Sequence, residues 1–122
     1  MKSLEKDEII KRQIDQLTFD LKRGFLQFVT LFLINQGPKY TYEIKDDVLK
    51  LSGGAFDIDR NNLYKKLRSL EKEGILKSHK EPSMQGADRK YYALTPFGKK
   101  LYSEMYQLLM PVMSSLHRTM KS

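Results

Sequence analysis

The sequence contains no cysteine and only two histidines in 122 residues. Without cysteine there can be no disulfide bond, no thiolate zinc site and no cysteine nucleophile. The histidines, His79 and His117, lie far apart, and neither has metal-ligand spacing from a group of carboxylates. No motif combines a nucleophile, a base and an orienting group. We therefore expect no enzyme, no bound metal and no cofactor.

Long apolar runs are missing as well. The most apolar stretch, Phe25 to Ile34, is interrupted by Gln27 and Thr30, and it is shorter than the roughly 20 residues that span a membrane. The segment from Lys2 to Glu8 is too polar for the apolar core of a signal peptide. We expect a cytoplasmic protein with no membrane partner.

Positive charge is concentrated in the second half of the chain. Lys and Arg number 22 and Asp and Glu 15, which gives a net charge of +7. Residues 1–58 carry nine basic and nine acidic side chains, whereas residues 59–100 carry eleven basic and five acidic ones. Such a surplus favours a polyanionic partner, either nucleic acid or an anionic membrane. No basic amphipathic helix accounts for the positive charge, which argues against binding to an anionic membrane. The alternative to a nucleic-acid partner is that these cations only keep the surface solvated.

Apolar residues at helical spacing predict four helical segments before Gly74. These segments are Leu4 to about Asp20, Leu21 to Gln36, Thr41 to Leu51 and Arg60 to Glu73. The second is the most apolar and is expected at the centre of the core. Thr41 and Asp59 are the predicted N-caps of the third and fourth segments. The residues of those two segments expected to face the core are Ile44, Val48, Leu51, Leu63, Leu67 and Leu70.

After Gly74 the pattern changes to alternation, which predicts a β-hairpin. Its strands are expected at 75–80 and 90–94, with residues 81–89 as the loop, and Thr95 with Pro96 starts a last helix. This order is that of a winged helix-turn-helix. The predicted fold is mainly α with a small β-hairpin. It consists of an N-terminal amphipathic helix (1–20), a winged helix-turn-helix domain (21–95) and a long C-terminal dimerisation helix (96–122).

The helix that begins at Arg60 is the candidate recognition helix. Opposite its apolar stripe, rotation by 100° per residue brings together Asn61, Lys65, Arg68 and Lys72. Asparagine pairs well with adenine, arginine and lysine pair with guanine, and lysine also binds phosphate. The helix is therefore predicted to enter the major groove of double-stranded DNA, and a solvated helix face is the alternative.

The hairpin and the entry to the preceding helix supply further candidates. Arg89 and Lys90 are expected at the hairpin tip, where cations suit the DNA backbone or minor groove. Tyr40 and Tyr42 lie where a hydroxyl can contact a phosphate. For one of these two tyrosines, packing against the core with the hydroxyl in water is the alternative.

These segments resemble the PadR family of bacterial transcriptional regulators, in its short form with a single C-terminal dimerisation helix. The matching stretches are Leu21–Gly24, Gly37–Ile44, Ser52–Phe56, Asn62–Tyr64, Leu67–Leu76 and Arg89–Gly98. The resemblance implies a homodimeric repressor on a partly palindromic operator, released in many members by a small, often aromatic effector. It also implies that Asn61, Asn62 and Tyr64 read the DNA. Together with the helix face, the predicted DNA contacts are Tyr40, Tyr42, Asn61, Asn62, Tyr64, Lys65, Arg68, Arg89 and Lys90.

The last predicted helix carries more apolar surface than a three-helix core can cover, which predicts a homodimer interface. The interface residues are Leu101, Met105, Leu108, Leu109, Val112, Met113 and Leu116. Tyr102, Tyr106 and Met110 are candidates for an effector pocket, although plain interface packing also explains them. Pro111 predicts a kink or a break near residues 107–111. The N-terminal helix is expected to lie against this last helix.

Two functions follow from these observations. A dimeric repressor that binds an operator is favoured, because the cations lie on the elements that would meet DNA. The alternative is a winged-helix module that binds other proteins and no operator.

Overall fold

Four helices and three short strands make up the structure, a computed structural model that describes residues 2–122. In chain order they are α1 (Ser3–Asn35), β1 (Lys39–Tyr40), α2 (Thr41–Leu51), α3 (Arg60–Lys72), β2 (Leu76–Ser83), β3 (Gly86–Leu94) and α4 (Pro96–Lys121). The strands form one antiparallel sheet in the order β1-β3-β2. The predicted fold class, mainly α with a winged hairpin, is confirmed.

The core lies where the C-terminal end of α1 meets α2, α3 and the inner face of the sheet. The predicted stripe of α3, formed by Leu63, Leu67 and Leu70, is buried as expected. Ile44 and Val48 of α2 are buried too, but Leu51 is 57% exposed, so its predicted place in the core is wrong. It is the last residue of α2, where the helix has already passed the edge of the core.

The two predicted segments of the N-terminal half form one continuous helix, α1. The predicted boundary after residue 20 falls inside this helix, and the three-part division of the chain stays a prediction. The second segment, predicted as the central buried helix, is buried at its C-terminal end, where Thr30, Leu31, Leu33 and Ile34 are almost inaccessible to solvent, whereas Leu26 and Val29 are only partly buried. The N-terminal half projects its stripe of Ile10, Ile14 and Leu17 into solvent, each more than half exposed.

The hairpin is longer than predicted. Residues 81–89 do not form a loop, because β2 runs to Ser83 and β3 begins at Gly86, which leaves Met84 and Gln85 as the turn. Backbone hydrogen bonds pair the two strands there although polar and apolar residues do not alternate. The sequence pattern therefore did not predict this part of the hairpin. Strand β1 was also not predicted, since its two residues gain their structure only by pairing with Tyr91 and Tyr92 of β3.

The start of α4 is as predicted. The hydroxyl of Thr95 accepts a hydrogen bond of 2.9 Å from the backbone N–H of Gly98, and Pro96 occupies the first turn. The helix runs without interruption through Pro111, so a break at residues 107–111 is wrong, and a kink there stays a prediction. A proline removes one backbone donor, and the solvent around this exposed part of α4 can hydrate the carbonyl that is left free.

The predicted N-cap of α2 needs a correction as well. Thr41 is the first residue of the helix, and Tyr40 is the cap. The backbone N–H of Tyr40 donates a hydrogen bond of 3.2 Å to the carboxylate of Glu43. Strand β1 therefore passes directly into α2. This junction places Tyr40 and Tyr42 beside the hairpin of β2 and β3, which we call the wing.

Candidate nucleic-acid interface

A cleft of about 490 Å³ lies between the N-terminal ends of α2 and α3 and the wing. Its lining residues are Tyr40, Thr41, Tyr42, Arg60, Asn61, Tyr64, Asp88, Arg89 and Lys90. Six of the predicted DNA contacts therefore meet at one place, although they come from three separate parts of the chain. The other three, Asn62, Lys65 and Arg68, lie outside the cleft on α3.

Asp59 determines where α3 begins, and with it the position of the residues at the cleft. Its carboxylate accepts a hydrogen bond of 3.2 Å from the backbone N–H of Asn62, which confirms the predicted N-cap. Arg60 and Asn61 therefore occupy the first turn and are exposed. The positive end of the helix dipole lies here, so this end of α3 attracts anions such as phosphate.

The outer face of α3 is polar and open to solvent. Asn61, Lys65, Arg68 and Lys72 are all exposed, as their helical spacing predicted. The guanidinium of Arg68 lies 6.0 Å from the centre of the Tyr64 ring, a distance at which a cation is attracted to an aromatic face. Amide, cation and phenol groups thus lie side by side on one helix.

Arg89 reaches the cleft from β3 of the wing. The prediction that Arg89 and Lys90 lie at the hairpin tip is wrong, because Met84 and Gln85 form the turn and both cations lie further along β3. Its guanidinium lies 4.5 Å from the centre of the Tyr40 ring, and the Tyr91 ring packs edge-on against Tyr40 with centroids 5.4 Å apart. The cation–π contact orients Arg89 without neutralising it, so its charge is available to an anion. Tyr40 is partly buried, whereas Tyr42 is 63% exposed and points into solvent.

Lys90 has a different environment from its neighbour Arg89, because successive residues of a strand point to opposite faces of the sheet. Its ammonium donates a hydrogen bond of 3.1 Å to the carboxylate of Glu71 on α3 and lies 5.2 Å from the centre of the Tyr92 ring. The bond to Glu71 raises the pKa of Lys90. Its positive charge is therefore already paired within the protein.

Sequence reasoning missed two parts of this site. Arg60 lines the cleft, and its position directly after the N-cap Asp59 was the signal that could have identified it. The ion pair of Glu71 with Lys90 joins residues 19 positions apart, and no local pattern reveals such a partner.

The predicted interface residues of α4 have three different environments. Leu101 and Met105 pack against the core of the chain. Leu108, Val112, Met113 and Leu116 are exposed, the first of them to 75%. An apolar groove of about 440 Å³ runs between α1 and α4 and includes Leu109 in its lining.

None of the three predicted effector-pocket residues lines the groove between α1 and α4. The Tyr102 ring stacks on Phe28 of α1 with centroids 5.6 Å apart, and Tyr106 lies 6.3 Å from Tyr102. Met110 is partly buried. The rings of Tyr102 and Phe28 thus form an aromatic contact between the two long helices.

The sequence profile of the transcriptional regulator PadR-like family matches residues 30–104, a region that includes α2, α3, the wing and the start of α4. The chain belongs to this family. It is therefore a DNA-binding transcriptional regulator and not an enzyme, as predicted. The PadR resemblance seen in the sequence is confirmed.

The chain is also similar to proteins of known sequence and of known structure. An uncharacterized protein of Lysinibacillus sphaericus is 33% identical over 86 residues, which are 70% of this chain and 79% of that protein. A PadR-like transcriptional regulator from Bacillus cereus is 25% identical and superposes with a TM-score of 0.72, covering 84% of this chain and 98% of its own.

A more distant PadR from Bacillus subtilis was solved in complex with operator DNA. It is 22% identical, with a TM-score of 0.60 over 66% of this chain and 45% of that protein. At this identity the likeness concerns the fold.

Residues 2–122 contain no group of three or more His, Cys, Asp or Glu side chains that could hold a metal ion. Within the same range, no helix has both the length and the apolar character needed to cross a lipid bilayer.

Proposed function

We propose that this PadR-like regulator acts as a homodimeric repressor in the cytoplasm and binds a partly palindromic operator. The observation that carries the proposal is the cleft in which Tyr40, Tyr42, Asn61, Tyr64 and Arg89 converge. The exposed face of α3 enters the major groove, while Arg89 on the wing and Tyr42 at the start of α2 contact the flanking backbone. The shared fold with a PadR solved on operator DNA supports this arrangement.

Charge and exposure support the roles of the individual residues. Asn61 and Lys65 are exposed, and no hydrogen bond or ion pair between described residues engages either side chain. They are available to base edges and phosphates, for which amide and ammonium groups are suited. Arg68 and Asn62 lie on the same helix and extend the contact along it.

The exposed apolar surface of the two long helices supports the homodimer. Leu108, Val112 and Leu116 of α4 are each 59–75% exposed, and the stripe of Ile10 and Ile14 on α1 is exposed to a similar degree. Burial of one such side chain contributes about 1.5–3 kcal/mol. We propose that a second copy of the chain covers these stripes. In the resulting homodimer the two recognition helices lie about 34 Å apart, which is one turn of DNA.

We also propose that a small aromatic molecule releases the repressor from DNA. Tyr102, Tyr106 and Met110 lie between the DNA-binding domain and the exposed part of α4, and an apolar groove between α1 and α4 opens nearby. These three side chains do not line the groove itself, but aromatic rings and methionine beside it are suited to contact an apolar ligand that enters it. A ligand bound there changes the angle between the long helices and so the spacing of the recognition helices.

The test is selection of genomic DNA fragments by the purified full-length protein, repeated with a panel of aromatic compounds. We expect a few fragments with inverted half-sites to be enriched, with affinity that falls steeply as salt is raised. Loss of these fragments with one compound identifies the effector. Binding that does not distinguish any fragment from competitor DNA contradicts the operator and favours a module that binds other proteins.

A further inference from the structure

A single carboxylate joins the recognition helix to both strands of the wing. Glu71 lies in the last turns of α3, and its two oxygens have different partners. The ammonium of Lys90 on β3 donates a hydrogen bond of 3.1 Å to Oε1, and the hydroxyl of Ser78 on β2 donates one to Oε2. We call Glu71, Ser78 and Lys90 the Glu71 clamp.

The clamp is partly shielded from water. The side chains of Glu71 and Lys90 are each 31% exposed, and the Lys90 ammonium also lies 5.2 Å from the centre of the buried Tyr92 ring. The bond from Ser78, together with Lys90, lowers the pKa of Glu71. Both charges of the pair are therefore present at neutral pH.

Arg89 and Lys90 hold opposite faces of the wing. The guanidinium of Arg89 lies over Tyr40 at the start of α2, and Lys90 is bonded to Glu71 on α3. Beyond this point the hairpin extends into solvent, and residues 84–88 at its tip are all exposed. A two-stranded hairpin is marginally stable by itself, so its direction depends on contacts at its base.

We infer that Glu71 is a positioning residue that sets the angle of the wing relative to the recognition helix. The inference rests on the proposed function, in which α3 and the wing contact the same DNA. When Glu71 is bonded to Ser78 and Lys90, Arg89 reaches the flanking DNA backbone while Asn61 and Lys65 occupy the major groove. Lys90 serves this arrangement as a partner of Glu71 and not as a free cation.

The first test is independent of DNA and uses the full-length protein. Glu71→Gln removes the charge that holds Lys90, and Lys90→Met removes the ammonium while keeping an apolar stem of similar length. For both variants we expect amide hydrogen exchange in β2 and β3 to rise by about fivefold or more, with exchange in α1 unchanged. The matched control is Glu73→Gln, because Glu73 is exposed, lies two residues further along, and forms no ion pair among the described residues.

The second test measures energetic coupling between Glu71 and Arg89 on a selected operator. Arg89→Ala is expected to weaken binding about tenfold in the wild type and in Glu73→Gln, but less than about threefold in Glu71→Gln. Glu71→Gln and Glu73→Gln each remove one negative charge from the C-terminal end of α3. The change in net charge is therefore equal and does not explain a different penalty for Arg89→Ala. The coupling therefore reports the direction of the wing.

The outcomes separate the inference from the proposed function. Wing exchange equal to that of wild type in both Glu71→Gln and Lys90→Met overturns the clamp. An equal penalty for Arg89→Ala in all backgrounds, or no penalty in any of them, overturns the positioning role while leaving operator binding intact. If the clamp variants loosen the wing and the wild type prefers no DNA fragment, the proposed function fails, and with it the positioning role.

Discussion

Simultaneous replacement of Asn61 and Lys65 by alanine is the most direct test of the recognition helix. Neither side chain takes part in a hydrogen bond or ion pair among the described residues, and both are exposed. Alanine has the highest helix propensity, so α3 keeps its structure. We expect the free energy of unfolding to change by less than about 0.5 kcal/mol.

The loss of DNA affinity is expected to be large. A bidentate contact between a side chain and a base contributes about 1–3 kcal/mol, and a homodimer makes each contact twice. Two contacts in each of two half-sites then contribute about 4–12 kcal/mol, and even the lower value corresponds to about a 1,000-fold loss of affinity. This is comparable to the whole difference between specific and non-specific binding, so operator preference should disappear.

The assay is a titration of labelled operator and of a scrambled duplex, followed by fluorescence anisotropy at fixed salt. The matched control is Arg12→Ala with Gln16→Ala, which removes one cation and one amide from the exposed polar face of α1. The control should bind within about twofold of wild type. A folded Asn61→Ala, Lys65→Ala variant that binds operator within about threefold of wild type would refute the assignment of α3 as the recognition helix.

Three further predictions concern the scaffold. A Cβ at Gly98 would lie 2.1 Å from the carbonyl oxygen of Ile75. Gly98→Ala should therefore destabilise the fold by about 1–3 kcal/mol and lower the Tm measured by calorimetry, and an unchanged Tm contradicts this close approach. Leu116→Glu places a charge on the exposed stripe of α4 and should convert the proposed homodimer into monomers in sedimentation experiments, whereas an unaltered mass argues against that interface. The hydrogen bond from Ser78 is the main reason why the pKa of Glu71 is lowered from 4.5 in the folded protein. The ionised carboxylate therefore stabilises the fold fully above pH 4.5, and this stabilisation is lost as the pH falls through the lowered pKa. In chemical denaturation, Glu71→Gln should be less stable than wild type at pH 7 and equally stable in strong acid.

The elements that local pattern predicts well are those held by contacts close in sequence. The stripe of Leu63, Leu67 and Leu70, the cap at Asp59 and the start signal at Thr95 all depend on residues within one or two helical turns. The predicted recognition face of α3 follows from the same periodicity. These features could therefore be predicted before any tertiary structure was known.

Contacts between distant segments explain the predictions that failed. Strand β1 exists only because Lys39 and Tyr40 pair with β3, about fifty residues later. The wing extends to Met84 because backbone hydrogen bonds continue the ladder through polar residues. Leu51 has the spacing of a core residue but lies beyond the edge of the core.

By itself, the sequence determined the helices of the winged helix-turn-helix, the family resemblance and the concentration of positive charge on the recognition helix and the wing. Helical periodicity, caps and charge are properties of neighbouring residues, so no three-dimensional information was needed. Only the tertiary structure decided that the guanidinium of Arg89 lies over the Tyr40 ring while the ammonium of Lys90 is paired with Glu71. Adjacent residues of a strand face opposite sides, and what each one meets there depends on packing between segments far apart in the chain.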